Sequence, residues 1–378
     1  MKRVLMILLT IVLAFAMLAG CSKDTATETP EPAPAETPAE GEEEADAEEE
    51  TVETVKLGLG VVNSIKRSKE YSNQDDKETL ALGQVDTVMA AVVFDQDGKV
   101  VSVKIDNAQT KVNFDKDMKV TSDKAADIKT KAEKKDEYGM RKASGIQKEW
   151  FEQIEALETW MVGKTVEEIK AMKVKEVDEN HKHVPDVPEL TSSVTITIES
   201  YVEAVEKAYS NTIEVEGFDK LGLGHNVSIA KSKDYSVDAN GKETLPVAQV
   251  DTVMAATAFD KDGKVVGTLI DNAQIKVNFD AEGKLTSDKT AELKTKAEKK
   301  DEYGMKKASG IQKEWYEQMN ELQNWMIGKT VDEIKAMKVK EVDERHKHVP
   351  DVPELTSLVT ITIESYIAAV EEAYNTAR

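Results

Sequence analysis

The sequence predicts an α+β protein built as two tandem copies of one domain, and three observations carry that prediction. Long stretches return at a near-constant offset, each copy opens on β-branched apolar runs joined by turn residues, and each continues into segments with helical spacing. KLGLG at Lys56 returns at Lys220, QVDTVMAA at Gln84 returns at Gln249, KTKAEKKDEYGM at Lys129 returns at Lys294, and HKHVPDVPELTS at His181 returns at His346. The offset is 164 early and 165 later, so one residue was gained near Asn240. A period this long is a duplicated domain, not a solenoid. The expected copies are residues 56–213 and 218–378, each long enough for its own core, and the short joint between them keeps them neighbours.

The chain ahead of the copies reads as an address and a leash. Lys2 and Arg3 precede an apolar run over 4–18, followed by Ala19-Gly20-Cys21. That order is a secretory signal peptide, residues 1–20, and the position of the single cysteine predicts lipidation of Cys21 after cleavage. Residues 21–55 follow as an acidic tether. From 22 to 55 there are thirteen acidic residues, one lysine and four prolines, with no large apolar residue before Val52. Such a stretch buries no core and repels itself. Its net charge of about −12 is roughly half of the chain's −22, so the acidity describes the tether and argues against a nucleic-acid partner. A lipid at Cys21 followed by a stretched acidic leash implies a globular load held away from a membrane surface.

Within each copy the order is β, then α. Residues 85–94 are apolar and β-rich, 95–98 are turn chemistry, and 99–105 alternate again, which is a hairpin. Asp95-x-Asp97 fails as a calcium loop because Lys99 stands where a third ligand belongs. Ile146, Trp150, Ile154, Leu157 and Met161 recur at helical spacing from about Ser144, and Gly163 stops the helix. Thr165 and Glu168 then supply a capping box for a second short helix. Gly163-Lys164-Thr165 lacks the first glycine of a phosphate loop.

Chemistry-bearing motifs are few. Four of the five histidines form His181-x-His183 and His346-x-His348, which are the best metal candidates, yet no third ligand is fixed by spacing and a solvated segment before a proline-rich turn is the favoured reading. No nucleophile elbow accompanies any serine. No catalytic residue emerges, and nothing in the chain announces turnover.

The hydroxyl-rich stretches ELTSSVTITIES at Glu189 and ELTSLVTITIES at Glu354 remain. Pro185 and Pro188 predict an extended backbone until about Thr195, and a helix follows near Tyr201. Thr195 and Thr360 then sit near a helix start, where free N–H groups favour an anion such as phosphate. N-capping hydroxyls would account for the same letters.

The hairpin FDQDGKVVSVKIDNAQ at Phe94, DEYGM at Asp136, ASGIQKEW at Ala143 and the hydroxyl-to-helix ending together resemble the FMN-binding domain family. The signal, tether and two such domains resemble the surface lipoproteins of Gram-positive flavin-based extracellular electron transfer, over nearly all of the chain after Cys21. The resemblance implies FMN joined through its phosphate to Thr195 and Thr360 by an FMN transferase, at a motif close to Asp-x-x-Ser-Gly-Ala-Thr. Ser192 and Ser357 fill the serine position of that motif. Glutamate replaces its aspartate, serine or leucine its glycine, and valine its alanine.

A flavin ring needs an apolar or aromatic slot with a few polar contacts. Tyr138, Met140, Tyr303 and Met305 are expected to wall it, and Gln109 and Gln274, placed at strand ends, to meet ring heteroatoms. Trp150 and Trp315 fall on the apolar stripe and read as core. The reading that follows is a lipid-anchored flavoprotein with two FMN groups, taking electrons from a membrane dehydrogenase and passing them to extracellular acceptors such as ferric iron. The competing reading is a surface adhesion or binding lipoprotein whose threonines only cap helices, with a peptide pheromone released from the signal.

Overall fold

A computed structural model of the chain describes residues 53–74, 77–179, 181–344 and 346–378. The signal peptide, Cys21 and the tether up to residue 52 lie outside the described residues. No helix among the described residues is long and apolar enough to cross a membrane.

Copy one runs β1 (Thr54–Ser64), β2 (Leu82–Phe94), β3 (Val100–Asn113), α1 (Lys131–Lys134), α2 (Trp150–Met161), α3 (Val166–Lys170), α4 (Glu199–Ser210) and β4 (Thr212–Glu216). Copy two runs β5 (Lys220–Ser228), β6 (Val247–Phe259), β7 (Val265–Asn278), α5 (Lys296–Lys299), α6 (Trp315–Met326), α7 (Val331–Lys335) and α8 (Glu364–Thr376). The class is mixed α and β with antiparallel sheets, ordered β3-β2-β1-β4 and β7-β6-β5.

Period-two alternation decides which side chain goes where. In β1, Leu57, Leu59 and Val61 point to one face of the sheet and enter a core shared with Leu223, Met254, Ala256 and Ile275 of copy two. Gly58 and Gly60 point to the other face, onto α4. A Cβ at Gly60 would stand 1.8 Å from the Ala204 carbonyl oxygen, and one at Gly58 2.2 Å from that of Ala208. Gly222 and Gly224 meet Ala373 and Ala369 in the same way. The repeated KLGLG therefore works as a two-faced strand, apolar toward the partner sheet and bare toward the helix.

The result is four layers, helix–sheet–sheet–helix, with three cores. The middle one lies between the two sheets, and each outer one lies between a sheet and its own helices, around Trp150 in copy one and Trp315 in copy two. The described residues thus form one compact unit. The copies meet through equivalent positions, as in an isologous dimer interface. A Cβ at Gly83 would lie 2.2 Å from that of its counterpart Ala248. Tyr71 N–H donates to the Gly283 carbonyl at 2.9 Å while Tyr235 N–H donates to the Met118 carbonyl at 3.0 Å.

Several expectations are corrected. The joint between copies is not a plain connection, because β4 pairs with β1 as the edge of the first sheet. The tryptophan helix begins at Trp150, not Ser144, because Gln147 takes a left-handed φ of 54° and Glu149 becomes the N-cap. The stretch before Thr195 is wound in turns rather than extended, since Leu190 and Val194, four apart, are both buried and Val194 N–H donates to the Leu190 carbonyl at 2.8 Å. Gln109 and Gln274 lie inside β3 and β7 rather than at their ends, because each strand continues to Asn113 or Asn278. The turn at Asp95 and the Thr165 capping box form as expected, with Lys99 N–H donating to Asp95 Oδ1 at 2.8 Å and Thr165 N–H to Glu168 Oε2 at 2.8 Å.

Candidate functional site

A cavity of about 660 Å³ opens beside the outer face of the first sheet, a size usual for small-molecule sites. Tyr138, Met140 and Gln109 line it, as does Trp150. Two devices fix its aromatic wall. The Glu149 carboxylate accepts the Met140 N–H at 2.8 Å and the Arg141 N–H at 2.9 Å, tying the DEYGM segment to the start of α2. Trp150 Nε1–H donates to the Tyr201 hydroxyl at 2.9 Å, tying α2 to α4. Burial pushes the Tyr201 hydroxyl up to about 12, so it stays neutral.

Lys131 supplies the charge. Its side chain is buried, with Nζ 5.1 Å from the centre of the Tyr138 ring and 5.5 Å from that of Trp150, within cation–π range. Burial lowers its pKa to about 8, with Asp86 pulling it back up and Arg67 pressing it further down. An ammonium in that state still carries charge at neutral pH, poorly solvated, and favours an anionic ligand. Lys66, Arg67, Lys207 and Lys289 also line the cavity, together with the carboxylates of Asp86, Glu199, Glu203 and Glu292.

The hydroxyl segment borders it. Ile196 and Thr197 line the cavity, and Thr195 lies one residue before them. Gln153, buried on α2, accepts both the Thr195 N–H at 2.8 Å and its hydroxyl at 3.3 Å on one oxygen, Oε1. Its amide nitrogen donates to Ser144 Oγ and the Lys148 carbonyl, both at 3.2 Å, which fixes the amide's orientation. The N-cap of α4 is Ile198, with no side-chain cap, so neither threonine serves the helix start. Instead the Thr197 hydroxyl and Asn107 Oδ1 are buried without a hydrogen-bond partner. Unsatisfied buried polar atoms are costly, and two in one cavity's lining point to a ligand with polar atoms. Ser192 is exposed in the turn before them.

Copy two repeats this set. Lys296 lies 5.0 Å from the Tyr303 ring and 5.6 Å from Trp315, Trp315 Nε1–H donates to the Tyr366 hydroxyl at 3.0 Å, and Gln318 accepts the Thr360 N–H at 2.9 Å. Met305 N–H is held by Glu314 at 2.8 Å, and Thr362 and Asn272 carry the same orphaned oxygens. Gln274 is half-buried opposite Asp251, as Gln109 is opposite Asp86, and Ser357 is exposed like Ser192.

The first cavity also takes a wall from the other copy. Residues 289–293 line it, held by Asn63 Nδ2–H donating to the Leu293 carbonyl at 3.0 Å and by Lys289 Nζ on the Ser68 carbonyl at 2.6 Å. Periodicity could not reveal that contribution. Lys131 was hidden in a charge run that reads as a solvated face. Gln153 did leave a signal, as a glutamine beside the apolar stripe, repeated as Gln318.

The histidine pairs do not converge on a shared centre. His181 Nδ1 sits 2.8 Å from Asp178, whereas His183, at a left-handed φ of 56°, faces Glu199 at 3.5 Å. All are exposed, and His346 and His348 repeat the pairing with Asp343 and Glu364.

No family model matches the chain, and no curated protein matches it. Among solved structures, it is similar to neutral ceramidase from Pseudomonas aeruginosa at 9% identity, over 58% of this chain and 31% of that one, with a TM-score of 0.19. A likeness that faint carries no argument about fold or activity.

Proposed function

We propose that the chain is a lipid-anchored electron carrier that holds one FMN in each copy and acts outside the cytoplasmic membrane. The observation that carries this reading is the cavity of copy one, where Tyr138, Met140 and Trp150 form an apolar wall, Lys131 offers a buried positive charge, and the Thr197 hydroxyl and Asn107 Oδ1 await partners. An aromatic wall inside a mostly polar cavity, a buried cation and a few unpaired polar atoms suit a planar ring bearing carbonyls and a phosphate. When bound, the flavin supplies the electron chemistry.

The protein's residues position and tune. Gln153 holds the Thr195 hydroxyl beside the cavity, the place at which the family resemblance puts the phosphoester, and Gln318 holds Thr360 in the same way. Lys131 favours negative charge in the pocket, and the Tyr201–Trp150 bond keeps the wall rigid. On this reading the partners are an FMN transferase, a membrane dehydrogenase as electron source and an extracellular acceptor, and the carrier is not itself an enzyme. Neither Thr195 nor Thr360 caps α4 or α8, so helix capping does not account for the two hydroxyls.

The test is the mass and colour of protein produced with its exporter and transferase. A yellow protein carrying two FMN adducts is expected, with Thr195→Ala and Thr360→Ala each removing one. Two adducts in the double variant, or a colourless wild type, would end this assignment.

A further inference from the structure

We propose that Glu133, His225 and Glu372 form a divalent-cation site of the zinc class that clamps copy one to copy two. It is independent of the flavin reading. Glu133 comes from α1 of copy one, His225 from β5 and Glu372 from α8 of copy two. Their donor atoms lie within 4.8 Å of one another.

The distances favour a metal over a simple ion pair. His225 Nε2 faces Glu372 Oε1 at 3.1 Å, Asp106 Oδ2 at 3.4 Å and Glu133 Oε2 at 3.6 Å. One imidazole N–H serves one acceptor at a time, and Glu372 Oε1 at 3.1 Å is the nearest, so a single N–H cannot satisfy all three oxygens. Ligands on a tetrahedral zinc with bonds of about 2.0–2.1 Å are separated by about 3.3–3.4 Å, the middle of the observed spread. Three carboxylates around one imidazole also leave negative charge that a dication neutralises.

Backbone N–H groups fix the ligands in place, for Glu133 on the same oxygen that faces His225. Glu372 Oε2 accepts the His225 N–H at 2.6 Å, Glu133 Oε2 accepts the Thr130 N–H at 2.7 Å, and Asp106 Oδ1 accepts the Asn107 and Ala132 N–H groups at 2.6 and 3.1 Å. Asp106 Oδ2 is left facing the imidazole as a further oxygen. The side chains of His225 and Asp106 are 6% and 7% exposed, while Glu133 is 39% exposed and leaves an entrance.

The fold does not need the cluster. At the pseudo-symmetric place the counterparts of His225 and Glu372 are Val61 and Lys207, and Lys207 simply pairs with Glu298 at 2.8 Å. The same architecture accepts valine and lysine where copy two has histidine and glutamate.

Metal-stripped protein should take up one Zn²⁺ per chain by calorimetry and elemental analysis, with a rise in melting temperature. Co²⁺ should give the visible absorption of a four-coordinate site. His225→Val should abolish both, while a variant with His181, His183, His346 and His348 all changed to Ala should keep them. Glu372→Gln, which can still accept the His225 N–H, should lose at least tenfold in affinity and serves if His225→Val fails to fold. No zinc uptake by the wild type, or unchanged uptake by His225→Val or Glu372→Gln, would overturn the proposal and leave a plain ion-pair cluster.

Discussion

Phe114 and Phe279, at equivalent positions of the two copies, meet edge to face across the molecule with ring centroids 5.3 Å apart. Both are fully buried, so neither sheet has a finished inner face without the other. Removing such a ring costs about 3–5 kcal/mol. Phe279→Ala should therefore destabilise both copies together. Denaturant unfolding followed by tryptophan fluorescence is expected to remain a single transition at lower denaturant, and two separated transitions would contradict the shared core.

The contact of α4 with β1 is tight enough for a methyl group to disrupt it. Gly60→Ala places a Cβ 1.8 Å from a backbone carbonyl that has little room to move, whereas nothing lies within 4 Å of a Cβ at Gly145. Overpacking of this kind costs about 1–3 kcal/mol. Gly60→Ala and Gly224→Ala should each lower the melting temperature, with Gly145→Ala as an unaffected control.

Glu158 gives stability a pH dependence. Its carboxylate accepts the Ile105 N–H at 2.6 Å and pairs with Arg378, yet burial outweighs both and raises its pKa from 4.5 to about 7. The folded state thus holds this proton more tightly than the unfolded chain. The stability from protonated Glu158 is complete below about 4.5 and is lost as pH rises through about 7. Copy two has Gln323 here, accepting the Ile270 N–H at 2.6 Å. Glu158→Gln should fit equally well, and its melting temperature relative to wild type should climb across that window. A flat difference would rule the site out.

Lys131 should set the potential of a bound flavin. Lys131→Met removes the buried cation while keeping the length of the side chain, so reduction, which adds negative charge, becomes harder. The midpoint should move negative by the worth of one charged hydrogen bond, about 1.5–3 kcal/mol. Redox titration of the variant at unchanged adduct stoichiometry checks this.

Much of this was readable in the letters, and the failures have physical causes. Repetition disclosed the duplication, and turn chemistry placed the hairpin at Asp95 and the cap at Thr165, because those features are local. Tyr138 and Met140, expected at a slot, line the cavity from one short segment, whereas Trp150, whose place on the apolar stripe reads as core, lines it as well. What stayed hidden depends on distant partners. Nothing near Leu57 says that it meets copy two, where a Cβ at Gly267 would lie 3.5 Å from it, and nothing near Leu293 announces that its carbonyl is held by Asn63 of the other copy beside the cavity. Apolar spacing through Ile146 predicts a helix start near Ser144 because no periodicity registers a left-handed Gln147.

Face-to-face sheets have a further consequence for how the chain is made. Synthesis from the first residue onward delivers Leu57, Leu59, Met89 and Phe114 well before Leu223, Met254 and Phe279, which cover them. Until the second half arrives, the first presents a greasy slab to its surroundings and is a target for chaperones and proteases. In the exported carrier proposed above, that delay would keep the first half threadable.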